Sequence, residues 1–199
     1  MNARFMDLEL LVERGVLVPR DETELLGNTA LGLLHDGSRV IDMCCGSGNL
    51  ACALASRRPD VRLWASDLTE ACVALARRNV AHTGVSDRVT VVQGNLFSGL
   101  KDLEGTIDLI VCNPPYISQA KLAGERAALL ESEPREAFDG GPYGLSIHQR
   151  VVREALPFLK PGASLLFDRT RAYEDIRLVA NAAGEVRVVA ARKINRKGN

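Results

Sequence analysis

From Arg39 onward the chain alternates short β-branched runs with helical stretches, and no other feature of the sequence narrows its fold as much. The runs are RVIDM, VRLWAS, RVTVVQ, IDLIVC, ASLLFD and EVRVVAAR; between them lie NLACALASR, TEACVALARRNVAH, a segment near LSIHQRVVREALPFLK and another near YEDIRLVANA. Strands that are apolar along their whole length are buried on both faces, and the intervening helices supply the cover. The expectation is an α/β fold: a doubly wound, mostly parallel sheet with a helical layer on each side. Ahead of this core, Phe5, Leu8, Leu11 and Val12 recur at helical spacing, so residues 4–14 read as a short amphipathic helix ended by Gly15. That helix would either cap the sheet or meet a partner. A second helix is expected from about Asp21 to Leu34.

A length of 199 residues, 46% of them apolar, fits one domain able to bury a core without staples. Within it, residues 1–34 read as a helical extension, 38–190 as the core and 191–199 as a basic tail. The 25 basic and 25 acidic residues cancel, which argues against coating nucleic acid or an anionic membrane by bulk attraction. No apolar run approaches the roughly 20 residues needed to span a bilayer. The opening MNARFMDLELLVERG carries acids where a signal peptide needs an apolar stretch, so a cytoplasmic location is expected. Cys44, Cys45, Cys52, Cys72 and Cys112 are odd in number and show no paired C-x-x-C spacing, so they read as reduced core residues. His35, His82 and His148 are scattered, and no metal site is indicated.

Chemistry enters at VIDMCCGSGNLA, where Gly46, Gly48 and Ala51 fit G-x-G-x-x-A between the first core strand and the next helix. Glycines there let the backbone turn tightly and let a ligand approach the peptide planes and helix N-terminus closely. Asp67 closes the second strand 21 residues after Gly46, where a carboxylate can accept both hydroxyl hydrogens of a ribose. An adenosine-containing cofactor is favoured over a plain structural turn. Asp42, just before the turn, suits a cationic or amino group and would repel the pyrophosphate of a dinucleotide. A dehydrogenase would also need a substrate region for which the chain has no room.

The fourth core strand ends in Asn113-Pro114-Pro115-Tyr116, at the sheet edge where ligands of such folds bind. Two prolines fix φ and remove two amide donors, leaving a stiff, extended segment whose carbonyls lack ladder partners. The Asn113 side-chain oxygen and the Pro114 carbonyl can then accept both hydrogens of one incoming NH2 group, and Tyr116 can stack on its flat face. For methyl transfer to an amide or aromatic amine, such a clamp aims a delocalised lone pair, and positioning can lower a barrier by at most about 7–11 kcal/mol. No strong base is required, since the proton can leave after the nitrogen has become cationic.

DMCCGSGNLA, ASDLTEACVALARRN, GNLF and NPPYI together resemble the class I S-adenosylmethionine methyltransferases that modify planar nitrogen, enzymes with a Rossmann-like fold. The order VPRDETELL, CGSGNL, NPPYIS, SEPREAFDGGPYGL resembles the release-factor glutamine methyltransferases, the HemK/PrmC family, from about Val16 to Phe167. The resemblance implies S-adenosyl-L-methionine as cofactor, with S-adenosyl-L-homocysteine as product. It implies that Asp42, Cys44, Gly46 and Gly48 line the methionine end and that Asp67 holds the ribose. Leu68 would pack on adenine, with Asn95 and Leu96 near its edge, although Leu68 and Leu96 are equally open to a plain core role. Asn113, Pro114, Pro115 and Tyr116 would clamp the substrate amide. Arg20 and Thr23 would close over the methionine and substrate mouth, with Arg20 also open to being an ordinary surface charge.

Three departures bear on substrate. Only about fifteen residues precede the VPR segment, where the family carries a helical domain that grips the release factor. LLFDRTRAYEDI follows the fifth strand, where the family has an acid and then a glycine. EVRVVAAR is the one clear strand of the tail, so the family's final hairpin is expected to be curtailed. A protein glutamine is therefore the first acceptor to consider, a small molecule the second, and a nucleic-acid amine a third that the charge balance disfavours. A non-catalytic cofactor-binding module is set against by the intact NPPY. The stretch from Ile117 to Tyr143 is a candidate lid, equally readable as a plain connection.

Overall fold

The expected parallel sheet forms, and its strand order explains where a ligand can sit. In the computed structural model the described residues are 2–117, 119, 123, 138–141 and 145–167, with the backbone alone of 173–180 and 186–193. Two short strands, β1 (Asn2–Phe5) and β2 (Leu8–Leu11), precede α1 (Asp21–Leu33). Then follow β3 (Arg39–Met43), α2 (Asn49–Arg57), β4 (Arg62–Asp67), α3 (Glu70–His82), β5 (Val89–Gln93), two 3₁₀ turns, β6 (Ile107–Cys112), α4 (Ser146–Ala155) and β7 (Leu159–Phe167). Hydrogen bonding orders the strands β5–β4–β3–β6–β7, all parallel. The chain winds outward from β3 to β5 and then returns to the other side of β3 as β6. Between β3 and β6 lies the switch point at which open α/β sheets hold ligands.

Alternate residues of the central strands feed two cores. Val40, Leu109 and Val111 pack with α1, α2 and α3 on one face, while Ile41, Met43, Ile110 and Cys112 pack on the other with Val151 and Ala155 of α4. Both faces being covered is why these strands read as continuous apolar runs. On the second face Phe97 stacks on Phe158 at 4.7 Å between ring centroids. On the first, α2 presents the fully buried Ala51, Cys52, Ala53 and Ala55, and side chains this small let a helix lie close to the sheet. Among the described residues no helix is long and apolar enough to cross a membrane.

The N-terminal helix expected over residues 4–14 does not form. β1 and β2 pair antiparallel instead, with Asn2 opposite Leu11 and Phe5 opposite Leu8, through a tight turn in which Met6 and Asp7 take φ of +45° and +64°. Positive φ at both central residues matches the twist of a two-residue hairpin. Aspartate tolerates that conformation but methionine does not favour it, so tertiary contacts hold the turn. The Met6 amide donates to Glu24 of α1 at 2.6 Å, and Arg57 of α2 donates to the Met6 carbonyl at 3.0 Å and to Asp7 at 2.9 Å. A Cβ at Gly27 would overlap the Met6 sulfur, so glycine there makes room for the turn on α1. The helical spacing of Phe5, Leu8 and Leu11 is coincidental: Phe5, Met6 and Leu10 are the residues the core takes.

The chain divides into two compact units, residues 1–168 and 169–199. In the second, the helix expected near YEDIRLVANA is a strand, β8 (Tyr173–Ala180), paired antiparallel with β9 (Val186–Lys193). The final hairpin is thus two strands of eight residues each, not the curtailed piece expected. IRLV and VRVV each carry a period-2 stretch as well as a helical one, and antiparallel pairing bonds the facing backbone groups of the two strands.

One buried side chain ties the N-terminal hairpin, β1–β2, to the turn after β3. Asn79 of α3 is fully buried; its Oδ1 accepts from the Leu11 amide at 2.8 Å, and its Nδ2 donates to the Leu11 carbonyl at 3.1 Å and the Ser47 carbonyl at 2.9 Å. The carboxamide acts as a substitute peptide group for β2 and anchors the turn after β3. Asn79→Ala removes three hydrogen bonds to the backbone, one buried and two part-buried, and each such loss costs roughly 1 kcal/mol. Urea unfolding should show a loss of about 3 kcal/mol; a change under about 0.5 kcal/mol, the usual range for surface positions, would contradict this account of the clamp.

Candidate functional site

The turn between β3 and α2 takes its shape from three left-handed residues: Cys44 at φ +59°, Gly46 at +53° and Gly48 at +75°. Gly48 caps α2, and a Cβ on it would lie 3.1 Å from the Cβ of Ala76, so glycine also lets α3 approach. Cys44 has no such excuse of size, and a non-glycine residue held there stores roughly 1–2 kcal/mol. The Cys45 amide donates to the Ser66 carbonyl at 3.1 Å and the Gly48 amide to the Cys45 carbonyl at 2.8 Å, fixing the loop from both sides.

Asp42, on β3 below this turn, is 1% exposed. Its Oδ2 accepts from the Ala51 amide at 3.0 Å, while Oδ1 is buried without a hydrogen-bond partner. Burial pushes its carboxyl up to about 7; the Ala51 hydrogen bond opposes the rise and the Asp67 charge adds to it. Ser47 is likewise buried, with a hydroxyl that meets no partner. Both residues line a cleft that also takes in residues 17–20, Thr23, Cys44 to Gly46, Asn49, Leu50 and Asn113. Orphaned polar atoms facing a cleft are the mark of a site shaped for something else to bond.

At the end of β4, Asp67 is fixed by two backbone amides: Oδ2 accepts from Gly46 at 2.9 Å and Oδ1 from Thr69 at 3.2 Å. Leu68 beside it is 57% exposed, a large apolar side chain left open at the sheet's ligand edge. Asn95 is exposed, its amide donating to Ser98 Oγ at 3.0 Å. Leu96, by contrast, has its side chain in the second core, with φ of +55° and a carbonyl that accepts from Ser66 Oγ at 3.1 Å. Of the two leucines, only Leu68 presents its side chain at the surface.

The NPPY segment emerges from β6 one residue past the Met43–Cys112 register pair. Asn113 Nδ2 donates to Thr23 Oγ1 at 3.1 Å, a bond across 90 residues of chain. Pro114 is buried, and Pro115 and Tyr116 are half-buried. Beyond them the chain is pinned: the Ile117 amide donates to the Phe138 carbonyl at 2.8 Å, and the Gly140 amide to the Ile117 carbonyl at 2.9 Å. Arg20, exposed at the start of α1, accepts through its carbonyl from the Thr23 amide at 3.0 Å. The fold therefore gathers Arg20, Thr23, Asp42, Cys44, Gly46 and Asn113 around one cleft. Most of the candidate lid at 117–143 lies outside the described residues. Sequence reasoning passed over Ser47, which lies within the glycine turn itself, and Asn79, whose role no spacing signals.

Comparison with known proteins gives a concordant set of findings. The profile of the family described as Methyltransferase small domain matches residues 23–142. The chain is 34% identical to the release factor glutamine methyltransferase of Gloeobacter violaceus, with 94% of this chain and 71% of that protein covered. It is 36% identical to the protein of the same name from Moorella thermoacetica, covering 94% of this chain and 66% of that one. The chain thus spans about two thirds of the length of these relatives. Among solved structures, the hMettl16 catalytic domain in complex with a MAT2A 3'UTR hairpin superimposes with a TM-score of 0.57 at 19% identity, over 76% of this chain and 57% of that one. That likeness bears on the fold alone.

Asp42 makes stability depend on pH in a definite direction. A carboxyl that ionises near 3.8 in an unfolded chain and at about 7 in the fold keeps its proton on the folded protein between those values. Unfolding in that window releases a proton, so stability falls as pH rises from about 4 to about 7, by at most about 4 kcal/mol, and levels off above. Urea unfolding of Asp42→Asn at pH 5, 6, 7 and 8 should lack this decline. A slope equal to that of the parent would show that Asp42 is not its source.

Proposed function

The chain belongs to the methyltransferase small-domain family and is an S-adenosylmethionine-dependent methyltransferase, and on that premise we propose that its acceptor is the side-chain amide nitrogen of a protein glutamine. The observation that carries this reading is the placement of Asn113 on the same cleft as Asp42 and the glycine turn. The relatives named for release factor glutamine methylation support the choice of a release factor as the protein.

The residues present fit the cofactor. The buried, unpartnered Asp42 Oδ1 and Ser47 Oγ offer polar contacts at the methionine end, where Cys44 and Gly46 line the cleft and Gly48 closes the turn behind them. Asp67, its carboxylate already oriented by two amides, would accept from the ribose hydroxyls. Leu68 would pack on the adenine, with Asn95 and the backbone of Leu96 at the ring edge. When bound, S-adenosylmethionine supplies an electrophilic methyl group on a sulfonium centre.

What this chain's own residues contribute is aim. A carboxamide nitrogen is a poor nucleophile because its lone pair is shared with the carbonyl. Asn113 Oδ1 and the Pro114 carbonyl would accept its two hydrogens, holding the NH2 plane fixed and turning the nitrogen lone pair out of it. Tyr116 and Pro115 would flank the amide face, and Arg20 and Thr23 would border the mouth.

Asp67→Ala should weaken S-adenosylhomocysteine binding by calorimetry about tenfold or more. Asn113→Ala should keep that affinity and lose about 100-fold in turnover. Unchanged turnover would remove Asn113 from the clamp. The acceptor itself is tested by mass spectrometry after incubation with S-adenosylmethionine and a release-factor domain carrying its Gly-Gly-Gln loop. Gain of one methylene mass on that glutamine is the expected result, and none, with the cofactor bound, would move the assignment to a small-molecule amine.

A further inference from the structure

We propose that Thr23 is a positioning residue that holds the plane of the Asn113 carboxamide in place for the substrate; this rests on the clamp proposed above. A carboxamide is nearly symmetric in shape and opposite in chemistry at its two ends. A substrate NH2 brings two donors, so Asn113 is useful only with its oxygen toward the cleft. Turned over, it would set an NH2 against an NH2, losing one hydrogen bond and opposing the substrate with like partial charges.

In the structure Asn113 stands in the useful orientation, and the Thr23 hydroxyl, which can bond either end of a carboxamide, keeps its plane from turning. Nδ2 donates to Thr23 Oγ1 at 3.1 Å, and because the amide is planar this directs Oδ1 away from Thr23. Thr23 can serve as a fixed reference because it is itself immobile. It is 3% exposed, it lies in the first turn of α1, and its own amide is bonded to the Arg20 carbonyl at 3.0 Å. α1 is in turn secured to the hairpin through Glu24 and the Met6 amide, at 2.6 Å. The segment at 17–23 therefore does more than border the mouth: through one hydroxyl it orients a group that emerges from the far side of the sheet's switch point. A role in cofactor contact alone would not require the hydroxyl to meet Asn113.

The test pairs Thr23→Val, which keeps the shape and removes the acceptor, with Thr23→Ser, which keeps the hydroxyl. On the Gly-Gly-Gln substrate at saturating cofactor, Thr23→Val should lose about five- to tenfold in kcat, the worth of one net hydrogen bond, with S-adenosylhomocysteine affinity unchanged. Thr23→Ser should restore most of it. A loss of cofactor affinity with kcat intact would make Thr23 a cofactor contact and overturn the proposal. An equal loss in both variants would overturn it too, since that is the signature of packing. A second measurement needs no turnover: the Asn113 side-chain amide resonances, assigned by their absence in Asn113→Ala, should exchange slowly with solvent in the parent and in Thr23→Ser, and quickly in Thr23→Val. Equal exchange in all three would refute the bond. If the parent fails to methylate the glutamine while the exchange pattern holds, the acceptor is wrong and the orientation by Thr23 stands.

Discussion

The arrangement on which the rest depends is the parallel pairing of β3 with β6. Neighbouring strands lie about 4.8 Å apart, and the register that sets Met43 beside Cys112 makes both end at the same level. The glycine turn and the NPPY segment therefore leave the sheet side by side, though some 70 residues of chain separate them. A shift of one residue in that register would turn Asp42 to the opposite face, because side chains alternate along a strand. It would also take Val40, which shares that face of β3, from the core it forms with Val111 and α2. Burial of apolar side chains on both faces thus fixes the register, and the register fixes the site.

Around this pair the molecule spends stability on geometry. Cys44 and Leu96 sit in left-handed backbone, and Asp42 is buried with one oxygen unbonded. Such features are costly, and each borders the cleft or the edge beside it. The compensation comes from close packing nearby: the small side chains of α2 against the sheet, the three bonds of Asn79, and the approach of α3 to Gly48. Strain persists where its surroundings leave no alternative.

The N-terminal segment shows how distant pieces are made into one site. Met6, Asp7 and Leu11 are held by Glu24, Arg57 and Asn79, so the hairpin is locked to α1, α2 and α3 at once. The 17–23 segment that follows lies across the glycine turn and reaches Asn113. Being tethered at both ends, it lines the cleft at little further cost in chain entropy.

The sequence by itself determined the five parallel strands and the helices α1 to α4 that flank them, and it singled out Arg20, Thr23, Asp42, Cys44, Gly46 and Asn113, which the fold brings to one cleft. Those elements are long or strongly patterned, and their signals are local: continuous apolar runs, glycines at a strand end, two prolines after an asparagine. Only the tertiary structure decided the rest. Residues 4–14 carry a helical spacing, yet α1 and α2 capture them as a hairpin, and Tyr173–Ala180 pairs with Val186–Lys193 where its own spacing suits a helix. Leu68 and Leu96 are alike as letters; burial separates them, because one ends a strand at the surface and the other turns inward beneath it. Asn79 and the Thr23–Asn113 bond left no trace in any spacing, since hydrogen bonds between residues 68 and 90 positions apart exist only once the chain has folded.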